Sequence, residues 1–269
     1  MKRDITFCLF LLSVLFNSCT KNDNPTQIAG KVKSYSLTLD TSAPGYFLAT
    51  FNYDNNGRVM NIISTNSSGQ QVGKTTYSYT SSNIIIENLN SSNQVLTRQI
   101  YSLNATGLVD SVLTYSPPSN MDSIPVTTYT YNTNNEAIQS KLFTLYSNGQ
   151  INPNWSSYTY SYTNGNLIQT IGQNSNGQQS LIINYEHLPT ISNLTPEAYG
   201  LPYSLNQSTN LIKRANSTNA QDPNWYSISD YTYTFDGNGR VSSQTIISTV
   251  TNFPNPNSTT SNSIYYNYY

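Results

Sequence analysis

His187 is the only histidine in this 269-residue chain, and Glu186 precedes it. Glu186, Glu197 and Asp222 are the carboxylates from which a glycosidase-type acid–base pair would have to be drawn. An acyl-transfer triad has no nucleophile-elbow motif to build on and a single imidazole to share. A metal site would lack a second His, and both cysteines, Cys8 and Cys19, fall in the N-terminal leader. Asp54-Asn55-Asn56-Gly57 and Asp236-Gly237-Asn238-Gly239 have the look of calcium loops, yet neither carries the bidentate Glu that closes one. Hairpin turns account for both, with Asp54 and Asp236 opening the turn and Gly57 and Gly239 supplying its positive φ. The expectation is a protein with no catalytic residues, metal or cofactor, and so not an enzyme; a hydrolase is the alternative.

Recognition is the better-represented chemistry. The chain holds 23 Tyr and 2 Trp, while charged residues make up only 9% of it. Trp155 and Trp225 each follow what reads as an exposed Pro-Asn loop leading into a strand, in Asn152-Pro153-Asn154-Trp155 and Asp222-Pro223-Asn224-Trp225. Aromatic rings stack on ligand faces while their polar tips hydrogen-bond. Trp155, Trp225, Tyr199 and His187 are therefore the candidate ligand-binding residues, against a core-filling role for the two Trp, and a glycan, a peptide or an envelope protein is the candidate partner.

The elements that must position these residues are strands. Aromatic or Leu pairs two residues apart stand before successive turns: Phe51/Tyr53, Tyr77/Tyr79, Tyr101/Leu103, Tyr129/Tyr131, Tyr160/Tyr162 and Tyr233/Phe235. Strand side chains alternate faces, so each pair shares one face, and these Tyr read as core. Val59, Val109, Ile168 and Val241 follow six residues after the second member, which implies one hairpin register repeated. Turn positions 57, 69, 82, 93 and 107 lie 11 to 14 residues apart, leaving no room for crossover helices. The fold class is thus all-β, an up-and-down antiparallel meander of roughly 14–16 strands curled into a barrel-like sheet. An open, spiralling sheet is the alternative. The spacing from Trp to the next Tyr-Thr-Tyr triplet differs by an odd number between the two Trp motifs, which places the two rings on opposite faces unless a bulge intervenes. Residues 186–209 break the alternation, carry three prolines and read as a loop acting as plug, lid or end cap.

Lys2 and Arg3 precede a short apolar stretch, Ile5–Phe16, which suits a signal peptide and is too short to span a bilayer. Residues 1–18 are read as signal, 19–29 as a tether and 30–269 as one β domain. Formal net charge is −1, which offers no basic patch for nucleic acid. A transmembrane barrel is disfavoured, because neither face of Arg58–Asn66 is continuously apolar.

Leu15-Phe16-Asn17-Ser18-Cys19 resembles a bacterial lipobox, which implies lipidation at Cys19 and a membrane partner through that anchor. Aromatic-x-aromatic-Asp-x-x-Gly-Arg-Val resembles the YD repeats of Rhs-type proteins. Together with Asn193-Leu194, Tyr199-Gly200-Leu201-Pro202 and Asn210-Leu211-Ile212, the chain over about 30–269 is similar to a family of Bacteroidota lipoproteins of unknown function with a porin-like β fold. The resemblance implies an outer-membrane lipoprotein on the surface-exposed or periplasmic face, and brings no activity or cofactor. Asp110-Ser111-Val112 and Asp122-Ser123-Ile124 resemble that phylum's O-glycosylation motif. The function expected is non-catalytic binding at the cell envelope, with a structural or assembly role as alternative.

Overall fold

The structure is a computed structural model that describes residues 31–38, 46–116, 123–192, 208–252 and 255–269. These residues form sixteen strands and no helix: β1 (Val32–Ser36), β2 (Leu48–Tyr53), β3 (Val59–Thr65), β4 (Gln71–Tyr79), β5 (Asn83–Asn90), β6 (Val95–Leu103), β7 (Val109–Tyr115) and β8 (Ser123–Tyr131). The second half holds β9 (Ala137–Tyr146), β10 (Ser156–Thr163), β11 (Asn166–Asn174), β12 (Gln179–Ser192), β13 (Asn210–Asn219), β14 (Asp222–Phe235), β15 (Val241–Asn252) and β16 (Asn255–Tyr268). Each strand pairs antiparallel with its sequence neighbours, and β1 pairs with β16, so the sheet closes into a barrel. Tyr35 stands at the closure, opposite Tyr266 on one side and Ala49 on the other. The open-sheet alternative is excluded by this pairing.

One turn is used repeatedly. At Asp54, Asn66, Asn90, Asn104, Asn132, Asn174 and Asp236 the side-chain Oδ1 accepts backbone N–H groups two and four residues on, at 2.9–3.0 Å. The fourth residue of each turn is left-handed, with φ between 58° and 81°, a conformation that suits Gly and Asn. In the two Asp copies the second carboxylate oxygen accepts from Arg58 Nε and Arg240 Nε at 2.8 and 2.7 Å. Those guanidinium groups lie 4.5 and 4.3 Å over the rings of Tyr79 and Tyr268.

The residue that restarts each odd-numbered strand faces inward and is sealed. Val32, Val59, Ile84, Val109, Ala137, Leu167, Leu211 and Val241 are all 5% exposed or less, one from each odd strand and all near one end of the barrel, the lower end. After most of these turns the next residue sits at a bulge and points out, as Met60, Ile138 and Ile168 do. Ile168 was expected to be the equivalent of Val59. The buried equivalent is Leu167, because the β10–β11 turn is the tighter Asn164-Gly165, both left-handed, and the register advances by one.

Except at β5–β6, pairing between an odd strand and the even strand after it stops short at this lower end, which leaves a carbonyl of the odd strand open to another donor. A Tyr hydroxyl closes that gap six times. Tyr53 donates to Val32 O, Tyr79 to Val59 O, Tyr131 to Val109 O, Tyr162 to Ala137 O, Tyr233 to Ile212 O and Tyr268 to Val241 O, at 2.6–3.1 Å. Each Tyr stands at the same offset from the last paired residues. Where the chain has Leu103 instead, backbone pairing runs on and Leu103 N–H donates to Ser82 O.

The 186–209 stretch was expected to be a loop. Glu186–Ser192 instead completes β12, with Glu186 opposite Arg214 and His187 opposite Ile212, while residues 193–207 of that stretch lie outside the described residues. The register slips between His187 and Ser192, and Pro189 falls inside that slip, where no ladder N–H is required. Similarly Asp222-Pro223-Asn224-Trp225 is not a loop before a strand but the first turn of β14; Pro223 sits in a bulge between the pairs Asn219↔Asp222 and Thr218↔Tyr226.

Removing one ladder hydroxyl strands a buried carbonyl, at a cost of about 1–3 kcal/mol. Tyr79→Phe is expected to lower urea-unfolding stability by that amount at unchanged slope, whereas the outward-facing Tyr226→Phe changes it by less than about 0.5 kcal/mol. Equal effects from the two substitutions would contradict the role given to the ladder.

Candidate functional site

Strand alternation gives the barrel two unlike faces. Inward, from the lower end, come the sealed ring and the aromatics Phe51, Tyr77, Tyr101, Tyr129, Tyr160, Tyr185, Tyr231 and Tyr266. Outward come the charges: Glu87 with Arg98, Arg214 with Asp230, and Glu186 with Lys213, besides Lys74 and Lys141. Below the upper rim, no charged residue of the described strands holds an inward register position. At the rim itself Asp222 accepts from its own turn, Asn224 N–H, at 3.1 Å.

Toward the upper end the inward face becomes hydroxyl and amide. Thr75 Oγ1 donates to Asn88 Oδ1 and Asn88 Nδ2 donates to Thr97 Oγ1, both at 2.8 Å, a chain across β4, β5 and β6. Ser229 and Ser248 share a hydrogen bond of 2.8 Å across β14 and β15. Apolar inward residues here are open to solvent, Leu142 at 40% and Tyr146 at 38%. The wall is also uneven. β12, β14 and β16 each run 14 residues against 5 for β1 and 6 for β2, and the last β1–β16 pair is Ser36↔Tyr265. The described residues thus form a cup whose inner wall is apolar at the lower end and neutral and polar toward the upper end.

The described members of the expected site do not converge. Trp225 shares the inward face of β14 with Ser229, Tyr231 and Tyr233, near the upper rim. Trp155 lies on the outside, its ring 4.2 Å from Lys141 Nζ. His187 is at the floor, and Tyr199 lies outside the described residues, as do Cys19 and Glu197. Glu186 and Asp222 pair with Arg214 and Asn219, about 16 Å apart along β13. That exceeds the separation glycosidase carboxylates use. Among the described residues no group of three His, Cys, Asp or Glu is placed to hold a metal. Sequence reasoning missed Leu142, Tyr146 and Tyr158; Tyr158 belongs to a Tyr-Thr-Tyr triplet whose other tyrosine, Tyr160, reads as core.

His187 fills the ladder position that Tyr holds elsewhere, at the matching offset from the last β11–β12 pairs. Its ring Nε2 is 3.0 Å from Ser208 Oγ, which also accepts Leu167 N–H at 3.1 Å. Thr209 N–H donates to Gly165 O and Asn210 N–H to Asn166 Oδ1, so the start of β13 is tied to the β10–β11 turn. A Cβ on Gly165 would collide with the Thr209 hydroxyl. Leu188 and Ile191 of β12 pack on the core cluster formed by β1, β2, β3, β13, β15 and β16, and so add to the floor.

Burial holds His187 below its ordinary 6.5. A neutral ring favoured by the fold means that the unfolded chain binds more protons in mild acid, so stability is full above about pH 6.5 and falls as pH drops toward the folded value. Asp54 and Asp236 titrate in a separate, more acidic window. Burial opposes ionisation of Asp54, but N–H donors of Arg58 and Asn56 outweigh it, and Asp236 is lowered first by Arg240 N–H. Urea unfolding of the wild type should weaken as pH falls below about 6.5, and His187→Gln should lack that slope. A wild-type slope retained in His187→Gln would place the titration elsewhere.

No family model matches the chain, and no curated protein sequence does either. Solved structures do. A porin-like protein from Bacteroides uniformis superposes with a TM-score of 0.61 at 16% identity, over 91% of this chain and 99% of that one. A porin-like protein from Bacteroides vulgatus gives a TM-score of 0.53 at 12% identity, over 89% of this chain and 98% of that one. At these identities the likeness is one of fold: the chain adopts the porin-like barrel seen in Bacteroides.

Proposed function

We propose that this protein is a non-catalytic binding protein of the cell envelope, held to the membrane by lipid on Cys19, whose ligand enters the cup from the upper rim. The observation that carries the reading is the contrast along the inward face. Ile84 and Ile86 near the floor are 1% and 5% exposed, while Leu142 and Tyr146 above are 40% and 38% exposed. A sealed floor makes a through-channel an unsuitable reading.

The outer wall favours an anchor over a spanning barrel. One outward row is apolar, Ile85, Ile100, Leu113, Val126 and Phe143, but the next carries Thr76, Glu87 and Arg98. β14, β15 and β16 present Thr232, Thr234, Ser243, Thr245 and Ser263. A lipid-facing barrel needs an apolar band about 25 Å tall, and charges within it are costly. The lipobox supports an outer-membrane lipoprotein, and the Bacteroides likeness supports the barrel fold. A structural role through open sheet edges is less well supported, because β1 and β16 pair.

A cysteine series tests the reading. In the full-length chain, Leu142→Cys should react with a soluble maleimide in the folded state, while Ile86→Cys stays protected until urea is added. In the same series, Cys19→Ser should abolish palmitate incorporation and release the protein from the membrane fraction. Protection of Leu142→Cys would close the lumen, and palmitate incorporation without Cys19 would remove the anchor.

A further inference from the structure

We infer that the cup takes an uncharged carbohydrate, stacked on Tyr158 and Trp225; the inference rests on the cup being the binding site. Tyr158 faces inward on β10, opposite Ser140 and Gly172. Gly172 is an inward strand position with no side chain. A Cβ there would stand 3.1 Å from Tyr158 Cε1 and 3.3 Å from Leu181 Cβ, closer than ordinary contact. The missing methyl leaves room for the edge of the inward Tyr158 ring against the β11 wall. This is the geometry of a stacking platform, and it differs from the ladder Tyr, which are spent on strand carbonyls. Trp225 provides a second inward ring four strands further round the wall.

The lining decides the class. A charged ligand entering the lumen would shed water with no inward counter-ion below the rim to replace it, a cost of several kcal/mol. A purely apolar chain would bury the Thr75–Asn88–Thr97 hydroxyl and amide row and the Ser229–Ser248 pair without offering them partners. Neutral sugars meet both demands. Their hydroxyls exchange hydrogen bonds with amides and alcohols, and their C–H faces lie flat on aromatic rings. An extended peptide would instead use strand addition, for which the closed barrel keeps no free edge between β1 and β16.

The test is calorimetric titration of the purified full-length protein with neutral gluco-, manno- and xylo-oligosaccharides, with oligogalacturonate and with an uncharged decapeptide. The expected result is binding of a neutral oligosaccharide that weakens at least tenfold in Trp225→Ala and in Tyr158→Ala. It should stay within about threefold in Tyr158→Phe, which keeps the ring, and in Trp155→Ala, whose ring is outside. Gly172→Val, which displaces the Tyr158 ring without removing it, should weaken binding as Tyr158→Ala does; if that variant misfolds, the Tyr158→Ala and Tyr158→Phe pair carries the test. Preference for oligogalacturonate or the peptide, with the same sensitivity to Trp225→Ala, would overturn the neutral-sugar assignment and leave the cup as the site. Sugar binding lost in Trp155→Ala and kept in Trp225→Ala would overturn the cup as well. No binding by any of these probes, in a protein whose Leu142→Cys variant is reactive, would overturn the carbohydrate assignment alone.

Discussion

A tyrosine hydroxyl closing the carbonyl that a short strand pair leaves open is the interaction on which this barrel depends. It demands a fixed register, because the Tyr must fall at one offset beyond the last paired residues on six separate strand pairs. Fixed register demands a fixed turn, and the Asp/Asn side chain that accepts two backbone N–H groups provides it. The motif Asp-x-x-Gly-Arg-Val then becomes physically legible. Asp54 holds the turn, Gly57 supplies positive φ, Arg58 spans from Asp54 to the face of Tyr79, and Val59 offers both a buried side chain and the carbonyl that Tyr79 completes. Two positions depart from Tyr: at Leu103 the backbone pairing lengthens, and at His187 the ring meets Ser208 Oγ, which accepts Leu167 N–H rather than serving a carbonyl.

From that constraint the inside and outside of the barrel follow. A ladder of phenols near one end draws the apolar ring and the aromatics into a dry floor, which Leu188 and Ile191 complete. Charges are left for the outer wall, and the upper lumen is left to Ser, Thr, Asn and exposed rings. A barrel built in this way turns from apolar to polar along its inner face, while its described outer wall mixes an apolar row with charged and hydroxyl-bearing ones.

The sequence carried the meander, the repeated turn and the face of each aromatic pair, because period-two alternation and Asp/Asn-to-Gly spacing are local signals. Closure was not local. Tyr35 and Tyr266 meet across nearly the whole chain, and no short-range pattern announces the pairing. Prolines misled twice, at Pro189 and Pro223, where a slipped register and a bulge accommodate them inside strands. The odd spacing of the two Trp motifs implied opposite faces, and Trp225 stands inside while Trp155 covers Lys141 outside. The Tyr158 platform was hidden for another reason. Its signal is a glycine on the adjacent strand, and Gly172 in a strand reads first as a weak point rather than as room for a neighbour's ring.

The central claim, that buried phenols bonded to strand carbonyls seal the floor, is tested most directly by spectrophotometric titration of tyrosine. Burial pushes the hydroxyls of Tyr53, Tyr79, Tyr131, Tyr162, Tyr233 and Tyr268 well above the ordinary phenol range. Behind the ladder, Tyr231 is pushed up to about 12 by burial. The account predicts two classes as pH rises: exposed tyrosines that ionise near pH 10 with the fold intact, and a second class that ionises only as the barrel unfolds. A single transition near pH 10 involving all 23 tyrosines, with near-ultraviolet dichroism unchanged, would contradict it.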